Sequence, residues 1–511
     1  MANEPPSGAA GLDELFDIDV WHDAWLTGAG QTMVDAPIVS VGGGLGSLAL
    51  VDLLRASGVP TSSITVVSPL ERPFDTYAYL ARNSQIPDHE RLRSDAGSVI
   101  DNVWGFPSYA FREARHGKGL GSKLEPLWRV LTEPILSDYF TPQGGQVYAS
   151  VERECARIGW NDMRLPGQVR AIRRRADGGY FVVVNPEGRL EDGPRIVLRA
   201  SHVHVSVGYP GLRFLPDLQR YRETHHDPVH VVNAYENHDH IYADLRQRPG
   251  RVIVRGAGIV ASRVLQRLLD DRELHGADTQ VLHLFRNYVE GPQGDFLFRR
   301  PGHDGFAYQA FNYPKASWGG QLRTTLLEMD PTARQDYLKV IGGTNTAPRR
   351  DWQRQIERAK STGAYQQLVG QVDEVRPSGT GLALDIALGT GGTQSLEADY
   401  VIDATGLLGD IRESRILADI LDHTGASTNP GGRLDVTPCF ELVGTASGPG
   451  RMFASGSITL GGPYAPVDSF LGLQYVALQI ADELARIGSI PRFGTRASIR
   501  QWIRWMRGVA P

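Results

Sequence analysis

The chain has 511 residues, 41% hydrophobic and 22% charged, with 53 Lys+Arg against 58 Asp+Glu and a formal charge of −5. That balance excludes wholesale disorder and a dominant basic footprint for nucleic acid. Cys155 and Cys439 form no CxxC pair and no disulfide scaffold, no apolar run is long enough to span a bilayer, and the acidic start is no signal peptide, so a cytoplasmic protein without a transmembrane segment is expected.

Residues 1–35 read as an N-terminal arm: a Pro/Gly-containing tail, then Leu12, Leu15, Phe16, Trp21 and Trp25 among acids, as in a short docking segment. The apolar run Ala36–Val41 then meets Gly42-Gly43-Gly44-Leu45-Gly46-Ser47, a helix-like stretch through Leu54, and a second strand at Ile64–Val67. This is a βαβ unit. Gly42 and Gly44 let the backbone turn and approach a pyrophosphate, and the following helix points free N–H groups at the phosphates. Ser47 stands where a third glycine is usual and is small enough for close packing. The second strand should end on an acid for the ribose hydroxyls. Ser68 stands there instead, so the ribose carboxylate is assigned to Glu71, three residues on.

Tyr180–Val184 and His202–Val207 read as further strands. A second copy of the unit begins at Arg251–Val254 and turns at Gly256-x-Gly258-x-x-Ala261. A helix through Leu269 and a strand at Val281–Phe285 complete it. That strand ends Phe285-Arg286-Asn287 without an acid. Arg286 is suited to pair with a 2′-phosphate, which favours NADPH over NADH. Residues 320–368 are helix-like, and strands return at Leu382–Leu388 and Tyr400–Asp403. The order implies an α/β fold in which the second unit is inserted into the first. The expected boundaries are 36–248 and 376–490 for the outer domain, 249–375 for the inserted one, and 491–511 for an amphipathic C-terminal helix.

With both glycine turns, Asp403-Ala404-Thr405-Gly406 at a strand end and Val205–Pro210 before the second unit, residues 36–490 resemble flavin-dependent N-hydroxylating monooxygenases of the ornithine/lysine type. The resemblance implies a Rossmann-like FAD-binding domain with an inserted NAD(P)H-binding Rossmann-like domain. It places FAD at Gly42, Gly44, Gly46, Ser47 and Glu71, and NADPH at Gly256, Gly258, Ala261 and Arg286. Thr405 and Gly406 match the family's ATG signature, and Gly456 and Ser457 a strand beside the ribityl chain, where many relatives have Asp for Ser457. Gln85 matches a flavin-side Gln. Asn312, in Phe311-Asn312, and Asn345, in Thr344-Asn345, match residues that touch nicotinamide or substrate.

The sequence also departs from that pattern. The family's Lys for the substrate carboxylate has no counterpart in Pro87-Asp88-His89-Glu90-Arg91, where His89 or Arg91 would have to substitute. The implied chemistry is hydride transfer from NADPH to flavin and reaction of the reduced flavin with O2 and a small-molecule amine, in a pocket kept dry. Gly461-Gly462-Pro463 and the helix from Phe470 would aim N–H groups at the flavin ring. An FAD-dependent NAD(P)H oxidoreductase without oxygen insertion and a non-catalytic nucleotide sensor stay open as alternatives, as does a homo-oligomer. His225, His226, His230, His238 and His240 read as solvated loop histidines rather than a metal site. In the last helix, Ile499, Trp502, Ile503 and Met506 share one face and Arg496, Arg500, Arg504 and Arg507 another. Docking on the protein or a second subunit is expected for it, with a membrane surface or an anionic partner as the other reading.

Overall fold

The computed structural model describes residues 11–511 apart from 93, 95, 134–135, 138–139, 188–194, 287–319, 342–349, 390, 408 and 465–466. Asn312 and Asn345 lie outside the described residues. In chain order the strands are β1 (Val20–Trp21), β2 (Met33–Asp35), β3 (Ile38–Val41), β4 (Ile64–Ser68), β5 (Arg164–Arg175), β6 (Tyr180–Pro186), β7 (Ile196–Ala200) and β8 (His202–Val205). The chain then moves to β9 (Val231–Asn233), β10 (Gly250–Arg255), β11 (Thr279–Phe285), β12 (Tyr365–Ser378), β13 (Gly381–Leu388), β14 (Thr393–Ala398) and β15 (Tyr400–Asp403), and returns to β16 (Arg451–Ala454). The helices used below are α1 (Leu45–Ala56), α2 (Asp75–Asn83), α3 (Leu120–Thr132), α4 (Ile259–His275), α5 (Arg415–His423), α6 (Phe470–Arg486) and α7 (Thr495–Met506).

Two sheets result. The first runs β16-β8-β3-β4-β5-β6-β7-β2, with β1 beside β5; the second runs β14-β13-β12-β11-β10-β15-β9. Strands around each glycine turn are parallel, and the β5–β6–β7 and β12–β13–β14 extensions are antiparallel. β3 is wholly buried, as expected of a parallel strand covered on both faces. Beside it, α1 packs against α6, and Leu48, Leu50, Val51 and Leu54 are buried in the larger core.

The expected insertion is present, but its boundaries move. Residue 376 lies within β12, and β12 to β15 all belong to the second sheet, so the chain returns to the first only after Asp403. The second sheet also begins earlier than 249, at β9. The alternating 382–388 pattern announces a strand but not which sheet receives it. Residues 11–35 of the N-terminal arm are likewise part of the fold. β1 and β2 extend the first sheet, and Leu12, Leu15, Trp21 and Leu26 are buried against Ala171, Phe181, Val183 and Val197.

Candidate functional site

The first crevice lies where the sheet order reverses, between β4 on one side of β3 and β8 on the other. Gly42 leaves β3 at φ +94°, and a Cβ there would run into the Ser206 carbonyl. Only glycine fits that turn. Gly44 caps α1 in extended geometry, with nothing within 4 Å of where its Cβ would be. Close packing falls to Gly46, whose Cβ would meet the Ser206 and Ser455 hydroxyls. Ser47 beside it is fully buried against β3 and donates its hydroxyl to the Gly42 carbonyl.

That hydroxyl ends a buried relay. Ser40 Oγ donates to Ser47 Oγ at 2.9 Å, and His204 Nδ1 lies 3.0 Å from Ser40 Oγ. Because the Ser40 proton is already committed, the imidazole must donate from Nδ1. Nε2 is then the acceptor, and Ser455 Oγ stands 2.9 Å from it. Burial alone pushes the His204 pKa down to about 3, so the ring is neutral and held in one tautomer. Three parallel strands, β3, β8 and β16, are thereby tied to the first turn of the glycine loop.

The crevice opens on a cavity of about 540 Å³ lined by Gly42–Gly46, Ser68, Tyr77, Ser206–Tyr209, Gly456, Ser457 and Phe470, among others. Gly456 (φ +82°) and Ser457, whose hydroxyl donates to the Gly208 carbonyl, line it just past β16, in a 3-10 turn rather than the expected strand. α6 begins at its edge, where Ser469 Oγ accepts from the Gly472 N–H, and Tyr209 donates to Asp468. At another part of the lining stand Gln168, Arg170, Asn185 and Arg415. Glu71 is exposed and does not line the cavity, whereas Ser68 does, with its Oγ accepting from Leu70 N.

The second crevice repeats the design. Gly256 leaves β10 at φ +130°, and a Cβ would sit 2.5 Å from the carbonyl oxygen of Ala404, just past the neighbouring strand β15. Gly258 caps α4 in extended geometry, and Ala261 is fully buried. The Gly256 carbonyl accepts from His283 Nε2 at 2.6 Å, so Nδ1 accepts from the Tyr365 hydroxyl at 2.7 Å, and Gln367 donates to the Tyr365 oxygen. Burial lowers the His283 pKa to about 4. Both loop carbonyls are thus held by a hydroxyl or ring N–H backed by a neutral, buried histidine. Arg286 is exposed just past the end of β11.

Asp403, buried at the end of β15, accepts from Thr405 N, Thr405 Oγ1 and Leu215 N, and burial raises its pKa. Thr405 and Gly406 stand beside the second crevice and are not among the residues lining the first cavity. Gln85 adopts φ +58° and receives a hydrogen bond from Arg267 of α4 at 3.4 Å. It sits where the segment after α2 meets the second unit: Asn83 donates to Tyr235 O, and Glu90 pairs with Arg263. Arg91 is occupied by Thr141 O and Glu113, and His89 is exposed.

The histidine-rich stretch does not converge. His230 pairs with Asp227, His238 lies between Glu236 O and Tyr242, and His240 binds Val229 O. The metal-compatible group found among the described residues is Cys439–Glu441–Glu483, where Arg451 and Arg486 already face the carboxylates. Sequence reasoning missed the two histidine relays. The signal available was the alternation of His202-Val203-His204-Val205, polar side chains at fully buried strand positions.

No protein-family profile and no curated protein matches the chain. Solved structures do. An ornithine N-hydroxylase of Kutzneria, solved with reduced FAD, NADP+ and L-ornithine, is 15% identical, with a TM-score of 0.59 over 89% of this chain and 99% of that one. An FAD-bound cadaverine monooxygenase of Erwinia amylovora is 12% identical, with a TM-score of 0.62 over 88% and 95%. A bacillithiol disulfide reductase of Bacillus cereus is 13% identical, with a TM-score of 0.52 over 89% and 99%. At these identities the likeness is one of fold: two Rossmann-like units, the second inserted in the first.

Proposed function

We propose that the chain is an NADPH-dependent, FAD-containing monooxygenase that N-hydroxylates a small-molecule amine. The observation that carries this reading is the pair of glycine turns of one build, each closed by the carbonyl beyond a neighbouring strand, the first opening on a roughly 540 Å³ cavity. A dinucleotide fits the first turn: Gly44 leaves open space before the N-terminus of α1, which attracts phosphate. Gly42, Gly44, Gly46, Ser47, Gly456 and Ser457 would hold FAD, and Gly256, Gly258, Ala261 and Arg286 would hold NADPH. The flavin would supply redox chemistry with O2, and the nicotinamide the hydride.

The chain's own residues do the rest. Ser47 and His204 fix the first turn, so its N–H groups need no rearrangement on binding. The start of α6 directs positive potential into the cavity. Arg91, the one arginine in 83–92, is already engaged by Glu113 and Thr141, which favours an amine over an amino acid bound through a carboxylate there.

The test is product identification. Purified protein should be yellow, oxidise NADPH and convert one of a panel of diamines to its hydroxylamine in proportion to NADPH consumed. NADPH oxidation giving only H2O2 with every amine would leave the reductase reading standing, and a flavin that NADPH never bleaches would leave the sensor reading.

A further inference from the structure

α7 is built the wrong way round for a helix that docks on its own protein. At about 100° per residue, Ser498, Gln501 and Trp505 share one side, and all three are half-buried. The outward side carries Ile499, Trp502, Ile503 and Met506, with Ile499 57% and Met506 50% exposed. Arg496, Arg500 and Arg507 flank that apolar stripe in solvent, and Arg504 is half-buried beside them. No residue of α7 is buried. Among the described residues, the apolar stripe is therefore left largely in solvent, with Trp502 reaching Phe106 at its edge.

A second element repeats the arrangement. α3 turns Leu120, Leu124, Trp128 and Leu131 outward, with Leu120 76%, Trp128 56% and Leu131 81% exposed. Both helices border the segment 104–107: Val130 of α3 lines one cavity with Trp104 and Pro107, Phe106 contacts Trp502 of α7, and Trp104 contacts Phe493 just before it. Exposed apolar side chains on this scale mark a surface that is covered in use.

Charge decides by what. Residues 491–511 hold five arginines and no acid, in a chain of net charge −5. A two-fold contact with a second copy would set this patch against itself, arginine against arginine. An anionic lipid surface satisfies both halves, taking the Ile/Trp/Met stripe into the headgroup boundary and the arginines onto phosphates. We propose that α7, with the α3 ridge beside it, docks the protein on an anionic membrane surface, with no segment crossing the bilayer.

The full chain should be mixed with phosphatidylglycerol–phosphatidylcholine vesicles, with pure phosphatidylcholine vesicles as the neutral control, and sedimented. Binding to the anionic vesicles only, with release at about 0.5 M NaCl, is expected. Arg496→Glu/Arg500→Glu/Arg507→Glu should weaken binding about a hundredfold, at roughly fivefold per lost arginine before counting the added acids. The triple Lys variant at the same positions should still bind. Ile499→Glu should also weaken binding without changing the circular dichroism spectrum. Equal sedimentation of wild type and the Glu variant, or loss in the Lys variant, would overturn the proposal. So would a concentration-dependent dimer that Ile499→Glu dissolves with no vesicle binding in either form, since the stripe would then be a subunit interface.

Discussion

Lowering the pH from 7.5 to 5 is expected to weaken both crevices together, because each is braced by a histidine that must stay neutral. Burial lowers the pKa of His204 to about 3 and of His283 to about 4. His202, on the same strand as His204, falls to about 4 through burial and the nearby Arg451. In an unfolded chain the imidazole titrates near 6.5. Between those values the unfolded state binds more protons than the folded one, so stability is complete above about pH 6.5 and falls as pH drops toward the folded values. At pH 5 each histidine is about 1.5 units below its unfolded value, and roughly 1.4 kcal/mol per unit gives about 2 kcal/mol each. Buried acids such as Asp101 and Asp403 shift upward on burial and oppose this, so the test is a difference. Urea unfolding followed by tryptophan fluorescence should be compared for wild type and His204→Asn at both pH values. The loss on acidification should be about 2 kcal/mol smaller in the variant. Identical pH dependence, or a His204 ring proton signal that titrates near pH 6.5, would refute the reasoning.

Gly42→Ala combines a left-handed φ with a clash at the Ser206 carbonyl, and should cost about 2 kcal/mol or more and yield colourless protein, checked by unfolding and absorbance. Gly258→Val should abolish NADPH reduction with FAD still bound, read by anaerobic bleaching; retained hydride transfer would displace NADPH from that loop. Arg286→Ala should raise KM for NADPH about tenfold more than KM for NADH, one charged contact being worth roughly 1.4 kcal/mol; an unchanged ratio removes the 2′-phosphate role. Asp403→Ala strands the Leu215 and Thr405 N–H groups, and should cost about 3 kcal/mol in urea and speed Leu215 amide exchange.

What could be read in advance was local. Gly42 and Gly256 announce themselves because a positive φ between strand and helix leaves few alternatives, and the parallel sheets follow. The relays could not be read, because they form only after folding: Ser40 and His204 are 164 residues apart, and His204 and Ser455 are 251. The close approach of Gly46 to Ser206 and Ser455 was hidden for a similar reason, since those partners are distant in the chain. The boundary at 376 failed because residues 365–398 fold as two hairpins on the edge of the second sheet, and hairpin periodicity is the same on either sheet. For α7 the helical period was legible, but the side turned inward was not.

The two passages between sheets run side by side: Gly211 follows β8, Gly409 follows β15, and a Cβ on Gly409 would lie 3.3 Å from the Gly211 Cα. Asp403 fastens them, standing on one and holding Leu215 N of the other. A pair of tethered straps resists twisting far more than a single thread would. Hinge-like relative movement of the two units about that seam is therefore resisted at two points rather than one.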